Sequence, residues 1–177
     1  MVEFTTLENY KDQNNRTLLE LSNESPVFVL FLRHFGCTFC MEAVADIARQ
    51  RKDMEAERTR IVFVHMSQEP EAQEFFSRYS VADCSRISDP ARVLYRQFGL
   101  ERGNLMQLFG PQTIVRGIQA FLKGASIGRL QGDGFQMPGA FLIYRGEVVK
   151  SFIHGFAGDL PDYKNMAKCD VPMCYND

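Results

Sequence analysis

The sequence has no tryptophan and only three histidines, and its 20 basic and 22 acidic residues nearly cancel, for a formal net charge of -2. With the two signs mixed along the chain there is no basic stripe, which argues against a nucleic-acid or anionic-membrane surface. Long hydrophobic runs are missing too. The longest, Val27 to Leu32, is roughly a third of the ~20 residues needed to span a bilayer, so no membrane segment is expected. The stretch from Met1 to Lys11 carries neither a basic leader nor an apolar core, which predicts no secretory signal and a cytoplasmic protein. Five cysteines, an odd number, do not suit a fully paired secreted scaffold. In a reducing compartment they would be thiols, metal ligands or redox groups. Repeats and low-complexity stretches are absent.

What is present reads as one core. A chain of 177 residues with 45% hydrophobic content falls near the usual length of a single domain. Residues 1–25 read as a leader packed on that domain, 26–160 as the domain itself, and 161–177 as a C-terminal helix and cysteine-containing tail. Val27 to Leu32 is apolar at every position and rich in β-formers, as for a central strand covered on both faces. From Cys37 the pattern turns helical for about twenty residues. Arg60 to Met66 reads as a second buried strand and Gln68 to Tyr79 as a helix, with Pro70 and acidic residues in its first turn. A short strand around Cys84 to Ile87 precedes Ser88-Asp89-Pro90, which reads as the opening of a helix running to Phe98 and stopped by Gly99. Pro111 to Leu122 is a further helix, and Gly124 to Gly134 a glycine-rich loop. Ala140 to Tyr144, Arg145-Gly146 and Glu147 to Ile153 form a hairpin signal. Parallel units first and a hairpin last predict an α/β fold of thioredoxin-like type, a central mixed β-sheet flanked by helices on both faces.

The chemistry concentrates at Cys37-Thr38-Phe39-Cys40. Two residues between cysteines at a helix start place both sulfurs within one turn. The free N–H groups and partial positive charge of the helix N-terminus favour a thiolate. Arg33 and His34, just upstream, are expected to add positive charge. Half of a zinc site is an alternative, but no second C-x-x-C exists and a helical start disfavours a zinc knuckle. Inert buried thiols are another. Met137-Pro138 stands directly before the strand at Ala140, where a thioredoxin-type order carries a cis-proline beside the cysteine pair, and Pro138 is expected to be cis; a trans proline at a strand start is the alternative.

These residues carry a resemblance. Phe31-Leu-Arg-His-Phe-Gly-Cys-Thr-Phe-Cys40, Ser88-Asp-Pro90, Tyr95-Arg-Gln-Phe-Gly99 and Pro138-Gly-Ala-Phe-Leu-Ile143 resemble the peroxiredoxin-like proteins of the alkyl hydroperoxide reductase/thiol-specific antioxidant superfamily. Within it they are similar to the peroxiredoxin-like 2 and selenoprotein L-related group, over about Pro26 to Gly158. The resemblance implies a redox function in antioxidant chemistry. Laid on the superfamily's Pro-x-x-x-Thr/Ser-x-x-Cys pattern, Cys40 matches the peroxidatic cysteine, while Cys37 stands for the hydroxyl residue and Arg33 for the proline. The superfamily's distal arginine falls near Ala140, where this chain has Pro138, with Arg129 and Arg145 as the nearest replacements. A vicinal thiol pair in place of that pattern favours thiol–disulfide exchange, with Cys37 as nucleophile and Cys40 as resolving thiol. In a peroxidase the two roles would reverse, with Cys40 as the peroxidatic cysteine; a non-catalytic binding module that uses the pair only as a redox sensor is the other alternative.

Other candidates are weaker. His65 ends the second strand, the edge where parallel sheets place their sites. Cys169 and Cys174 read as a tail disulfide or an electron relay. His154 follows the last strand, Cys84 reads as a packing residue and Asp133 as a turn former. The glycines from Gly124 to Gly134 make no nucleotide-binding fingerprint, and no cofactor is expected. The expected partners are a protein or small-molecule thiol as electron donor and a peroxide or disulfide as substrate, with an oligomer open.

Overall fold

The computed structural model describes residues 4–122, 133–170 and 172–174. Its elements run α1 (Phe4–Asn9), α2 (Leu18–Glu24), β1 (Val27–Phe31), α3 (Thr38–Ala56), β2 (Arg60–His65), α4 (Glu69–Arg78), β3 (Ser85–Ser88), α5 (Val93–Gln97), α6 (Leu105–Phe109), α7 (Pro111–Leu122), β4 (Gly139–Tyr144), β5 (Glu147–Ile153) and α8 (Tyr163–Met166), followed by a 3-10 turn, Pro172–Cys174. The strands form one sheet in the order β3-β2-β1-β4-β5. β1 pairs parallel with β2 and antiparallel with β4, so it is the central strand of a mixed sheet.

Alternation along β1 divides the core. Phe28, Leu30 and Leu32 face one side with α3, α4 and α8, while Val27, Val29 and Phe31 face the other with residues of α1, α2 and α5. Every residue of β1 is buried, which is why the run shows no polar face. The N-terminal segment contributes fully buried Leu7, Leu18 and Leu21. Thr17 caps α2 through a capping box with Glu20. The β4–β5 hairpin turns on Arg145 and Gly146, both at positive φ (50° and 77°), the geometry that matches the twist of paired strands and that glycine adopts without cost.

Two expectations are corrected. The helix after β3 does not open at Pro90: it begins at Val93, because the Asp89 carboxylate accepts from the N–H groups of Val93, Leu94 and Tyr95 at 3.1, 2.7 and 3.3 Å. Pro138 is not cis, since the described residues contain no cis peptide bond. Gln136 bridges to Arg102, and the Met137 N–H donates to the Glu101 carbonyl at 3.1 Å. The chain thus enters β4 already extended, and a trans proline, which has no N–H to give, fits just ahead of the first strand residue. The glycine-rich stretch lies outside the described residues except for its end at Asp133 and Gly134.

Candidate active site

The cysteine pair sits at the carboxyl end of β1, where the buried strand hands over to α3. Cys37 is the N-cap of α3, at φ -80° and ψ 119°, and makes no side-chain capping bond. Its carbonyl accepts from the Met41 N–H at 3.0 Å, so its side chain projects beside the open first turn. Both cysteines are buried thiols.

Arg33 organises the sulfurs. Its backbone N–H donates to Cys40 Sγ at 3.2 Å, and its guanidinium Nη1 lies 3.4 Å from Cys37 Sγ. The guanidinium is buried and held by carbonyls, Nε donating to Gln136 at 3.1 Å and Nη2 to Gly134. Carbonyls fix its position without neutralising its charge, which leaves that charge to act on the cysteine.

The two thiols are driven apart in acidity. A hydrogen bond from Cys40 lowers the Cys37 pKa to about 6 against the opposing effect of burial, aided by Arg33 and by the backbone N–H groups of Cys40 and Phe39. Burial and the neighbouring Cys37 push the Cys40 thiol well above its ordinary value. At neutral pH Cys37 is therefore mainly thiolate and Cys40 the protonated donor beside it.

The other candidates are distributed as follows. His34 adds no positive charge: burial, with Arg33 beside it, lowers its pKa to about 4, which corrects the expectation of a second cation. Thr38 is half-buried, whereas Phe39 is buried and packs toward Gly117 and Gly158. Met137 is buried at the same end of the fold, and Pro138 lines a small apolar cavity with Cys40, Phe39, His154 and Tyr163. His65 is almost fully buried behind Phe35 and Phe76, with ring centroids 5.4 and 5.9 Å away and both ring nitrogens unpartnered. It does not line the Cys40 cavity.

Cys169 and Cys174 form a disulfide beside Pro26 and Tyr144, where β1 begins and β4 ends. The length of β1, about 16 Å at ~3.3 Å per residue, separates that end of the sheet from Cys37. The structure therefore does not bring the tail pair to the site, which corrects the relay reading. Cys84 precedes β3, and burial raises its pKa to about 11, as for an inert thiol. Arg145 is exposed on the hairpin turn, with its guanidinium over Tyr144 at 5.2 Å, and Arg129 lies outside the described residues. The cation beside the sulfur comes instead from Arg33, from the position where the superfamily has proline.

Several residues do more at the site than the sequence indicates. Gln136 receives Arg33 on its carbonyl and ties its own amide to the Leu100 and Met137 carbonyls at 2.9 and 3.1 Å. Buried Tyr95 donates to the carbonyls of Leu32 and Val64 at 2.5 and 3.1 Å, bracing the strand ends beneath Arg33. Asp133 does make a turn bond to the Phe135 N–H, and it also pairs with Arg92 and Arg102. His154 and Tyr163 reach the Cys40 cavity with their polar atoms unpartnered. No local pattern marks the long-range contacts of Gln136 and Tyr95, which depend on segments distant in sequence. A larger cavity of about 550 Å³ lies at the other end of the parallel strands, among ion-paired arginines such as Arg51 with Glu55 and Asp83; Cys84 lines it, and Cys37 and Cys40 do not. Among the described residues no cluster of three or more histidine, cysteine or carboxylate side chains could hold a metal, and no helix is long and apolar enough to cross a membrane.

A buried, acidified cysteine at a strand–helix junction of a thioredoxin-like fold defines the class as a peroxiredoxin-like redox protein. The chain belongs to the AhpC/TSA antioxidant enzyme family, whose model matches residues 46–154; the matched stretch begins beyond the cysteine pair. It is similar to peroxiredoxin-like 2C of Bos taurus, 29% identical over 81% of this chain and 67% of that one. It is also similar to a prostamide/prostaglandin F synthase of Danio rerio, 25% identical over 84% of this chain and 75% of the relative. Among solved structures, the bacterioferritin comigratory protein of Xanthomonas campestris superposes with a TM-score of 0.64 at 14% identity, covering 89% of this chain and 87% of that one. That likeness concerns the fold.

Proposed function

We propose that the chain is a thiol–disulfide oxidoreductase that cycles Cys37 and Cys40 between dithiol and disulfide, with Cys37 as nucleophile and Cys40 as resolving thiol. The observation that carries this reading is the division of acidity between the two sulfurs, with Arg33 3.4 Å from Cys37. The Cys37 thiolate attacks one sulfur of a substrate disulfide, forming a mixed disulfide and releasing a thiolate. Cys40 then loses its proton and attacks the Cys37 sulfur, releasing the second substrate thiol. A donor thiol or dithiol, of protein or small-molecule type, returns the pair to the reduced state. Arg33, Thr38, Phe39, Met137 and Pro138 support this centre. A cytoplasmic location, where thiol donors are abundant, would keep the pair supplied with reductant.

Arg33 also favours a second reading, peroxide reduction at Cys37 rather than Cys40. The thiolate would attack the peroxide oxygen to give a sulfenic acid and an alcohol, with the guanidinium beside the departing oxygen. Cys40 would then condense with the sulfenic acid, releasing water. Cys40, deeply buried and protonated, suits the resolving role in both readings. The similarity to a prostamide/prostaglandin F synthase places prostaglandin-type substrates in the assay panel alongside simple peroxides.

Stopped-flow oxidation by a model disulfide and by peroxide, with the wild type and the Cys37→Ser and Cys40→Ser variants, tests both readings. A mixed disulfide trapped on Cys37 in Cys40→Ser supports the first, and a sulfenic acid on Cys37 supports the second. A Cys37 no more reactive than a free thiol toward both oxidants would sink them together.

A further inference from the structure

Cys40 faces two ways. On one side its thiol hydrogen-bonds to Cys37, and its sulfur accepts the Arg33 N–H at 3.2 Å. On the other it borders the small cavity that His154 and Tyr163 also line. Those two side chains are only 5% and 2% exposed, and among the described residues neither the ring nitrogens of His154 nor the Tyr163 hydroxyl has a hydrogen-bond partner. Burying such groups unpaired is costly, and three polar atoms left so around one void beside a thiol call for a task there. The turn after β5 fixes the imidazole. Its Gly155 N–H donates to the Asp159 carboxylate at 3.1 Å, which sets that charge beside His154 and favours the protonated ring. The same turn is tied to the neighbouring helices, the Ala157 N–H donating to the Gln107 carbonyl at 2.9 Å and Arg116 to the Gly158 carbonyl at 3.2 Å.

Resolution asks Cys40 to give up its proton when its resting acceptor is gone, because a Cys37 held in a mixed disulfide is no longer a thiolate. We propose, on the reading of the pair as a dithiol–disulfide couple, that His154 takes the Cys40 proton in the resolving step, with Asp159 positioning the imidazole and the Tyr163 hydroxyl donating to the sulfur as charge develops on it. As the proton passes to His154, the Cys40 electron pair forms the bond to the Cys37 sulfur. The bond between Cys37 and the substrate sulfur breaks, the substrate leaves as a thiolate, and the imidazolium returns its proton to solvent. The cavity is about 10 Å³, close to the smallest that admits a water, so the transfer crosses at most one. Burial lowers the His154 pKa to about 4, so the ring is a free acceptor at neutral pH. A thiolate forming across the same cavity then favours the imidazolium, as opposite charges do in a desolvated site. The other charges near the cavity are Glu42 of α3 and Arg116 of α7, which act on Tyr163 and pair with each other at 3.2 Å, leaving Asp159 as the charge that acts on His154.

Stopped-flow reaction of the reduced full chain with a nitroaryl disulfide, whose released thiolate is coloured, separates the two steps: the first release follows Cys37 attack and the second follows resolution by Cys40. His154→Gln keeps a polar group in the cavity but takes no proton. It is expected to slow the second release by about 100-fold or more at neutral pH and leave the first unchanged. The wild-type second release should be flat across neutral pH and slower in deuterium oxide, whereas that of His154→Gln should rise in proportion to hydroxide. Asp159→Asn should slow the second release alone, by a smaller factor, and Asp159→Glu should restore part of it. Should His154→Gln lose its fold, Tyr163→Phe and the wild-type isotope effect read the same step. His65→Phe removes a buried histidine that does not line the cavity and is expected to leave both releases unchanged. A wild type with no first release beyond that of a free thiol overturns the dithiol reading and this proposal with it. A normal first release followed by a second that His154→Gln and Tyr163→Phe leave at the wild-type rate, that shows no isotope effect, or that His65→Phe slows equally, overturns this proposal alone.

Discussion

The Arg33 guanidinium lies 3.4 Å from the Cys37 sulfur, while the backbone N–H of the same residue donates to the Cys40 sulfur at 3.2 Å. One residue at the end of β1 thus addresses both thiols, its side chain favouring charge on one and its main chain holding the other in place. The Cys37 sulfur gains acidity without being exposed.

Alkylation of Cys37, mapped by mass spectrometry as a function of pH, should follow its thiolate fraction with a midpoint near 6. Arg33→Met removes the cation and is expected to move the midpoint upward and slow alkylation at neutral pH. Cys40→Ala, which deletes the largest stabilising hydrogen bond, should do the same. A midpoint that stays put in Arg33→Met would show that the guanidinium does not act on the sulfur.

Buried His65 makes the fold sensitive to acid. Burial lowers its pKa from 6.5 to about 4, so between those values the unfolded chain binds a proton that the folded chain does not. Stability therefore rises with pH across this window and is lost as pH falls through it. Linkage gives a loss of about 2 kcal/mol from this one group between pH 7 and pH 5. Urea unfolding at the two pH values should show it, and His65→Phe, whose ring suits the surroundings of Phe35 and Phe76, should lessen the dependence without removing it, because burial lowers His34 and His154 to about 4 as well.

Tyr95→Phe leaves the buried carbonyls of Leu32 and Val64 short of their hydroxyl donor. The expected cost is about 1–3 kcal/mol in equilibrium unfolding. Because Leu32 directly precedes Arg33, the same variant should also slow Cys37 alkylation at neutral pH.

Gly158→Ala would set a methyl carbon 2.9 Å from both the Arg116 Cβ and the Phe39 Cε1. The Phe39 ring can swing aside, but the Arg116 Cβ moves only with its helix. We expect a loss of about 1–3 kcal/mol in thermal or urea unfolding. Faster alkylation of Cys40 should accompany it, since Phe39 lines the Cys40 cavity.

The sequence by itself determined the local parts. The six consecutive apolar residues from Val27 to Leu32, rich in β-formers, suit a strand buried on both faces, and the change to helical spacing at Cys37 put the cysteine pair at the helix start. Pro111 to Leu122 and the Arg145-Gly146 hairpin were equally legible, because periodicity, proline and turn residues act within a few positions. What acts across the chain was decided only by the tertiary structure. Arg33 reaches Cys37 because Gln136, 103 residues away, holds its guanidinium, while the same surroundings strip His34 of its charge. Pro138 is trans because residues 101 and 102 pair with the segment ahead of it. An apolar stripe on α7 is visible in the sequence, but the packing of Arg116 onto Glu42 turned it outward. Spacing records which residues share a face; only packing decides what that face meets.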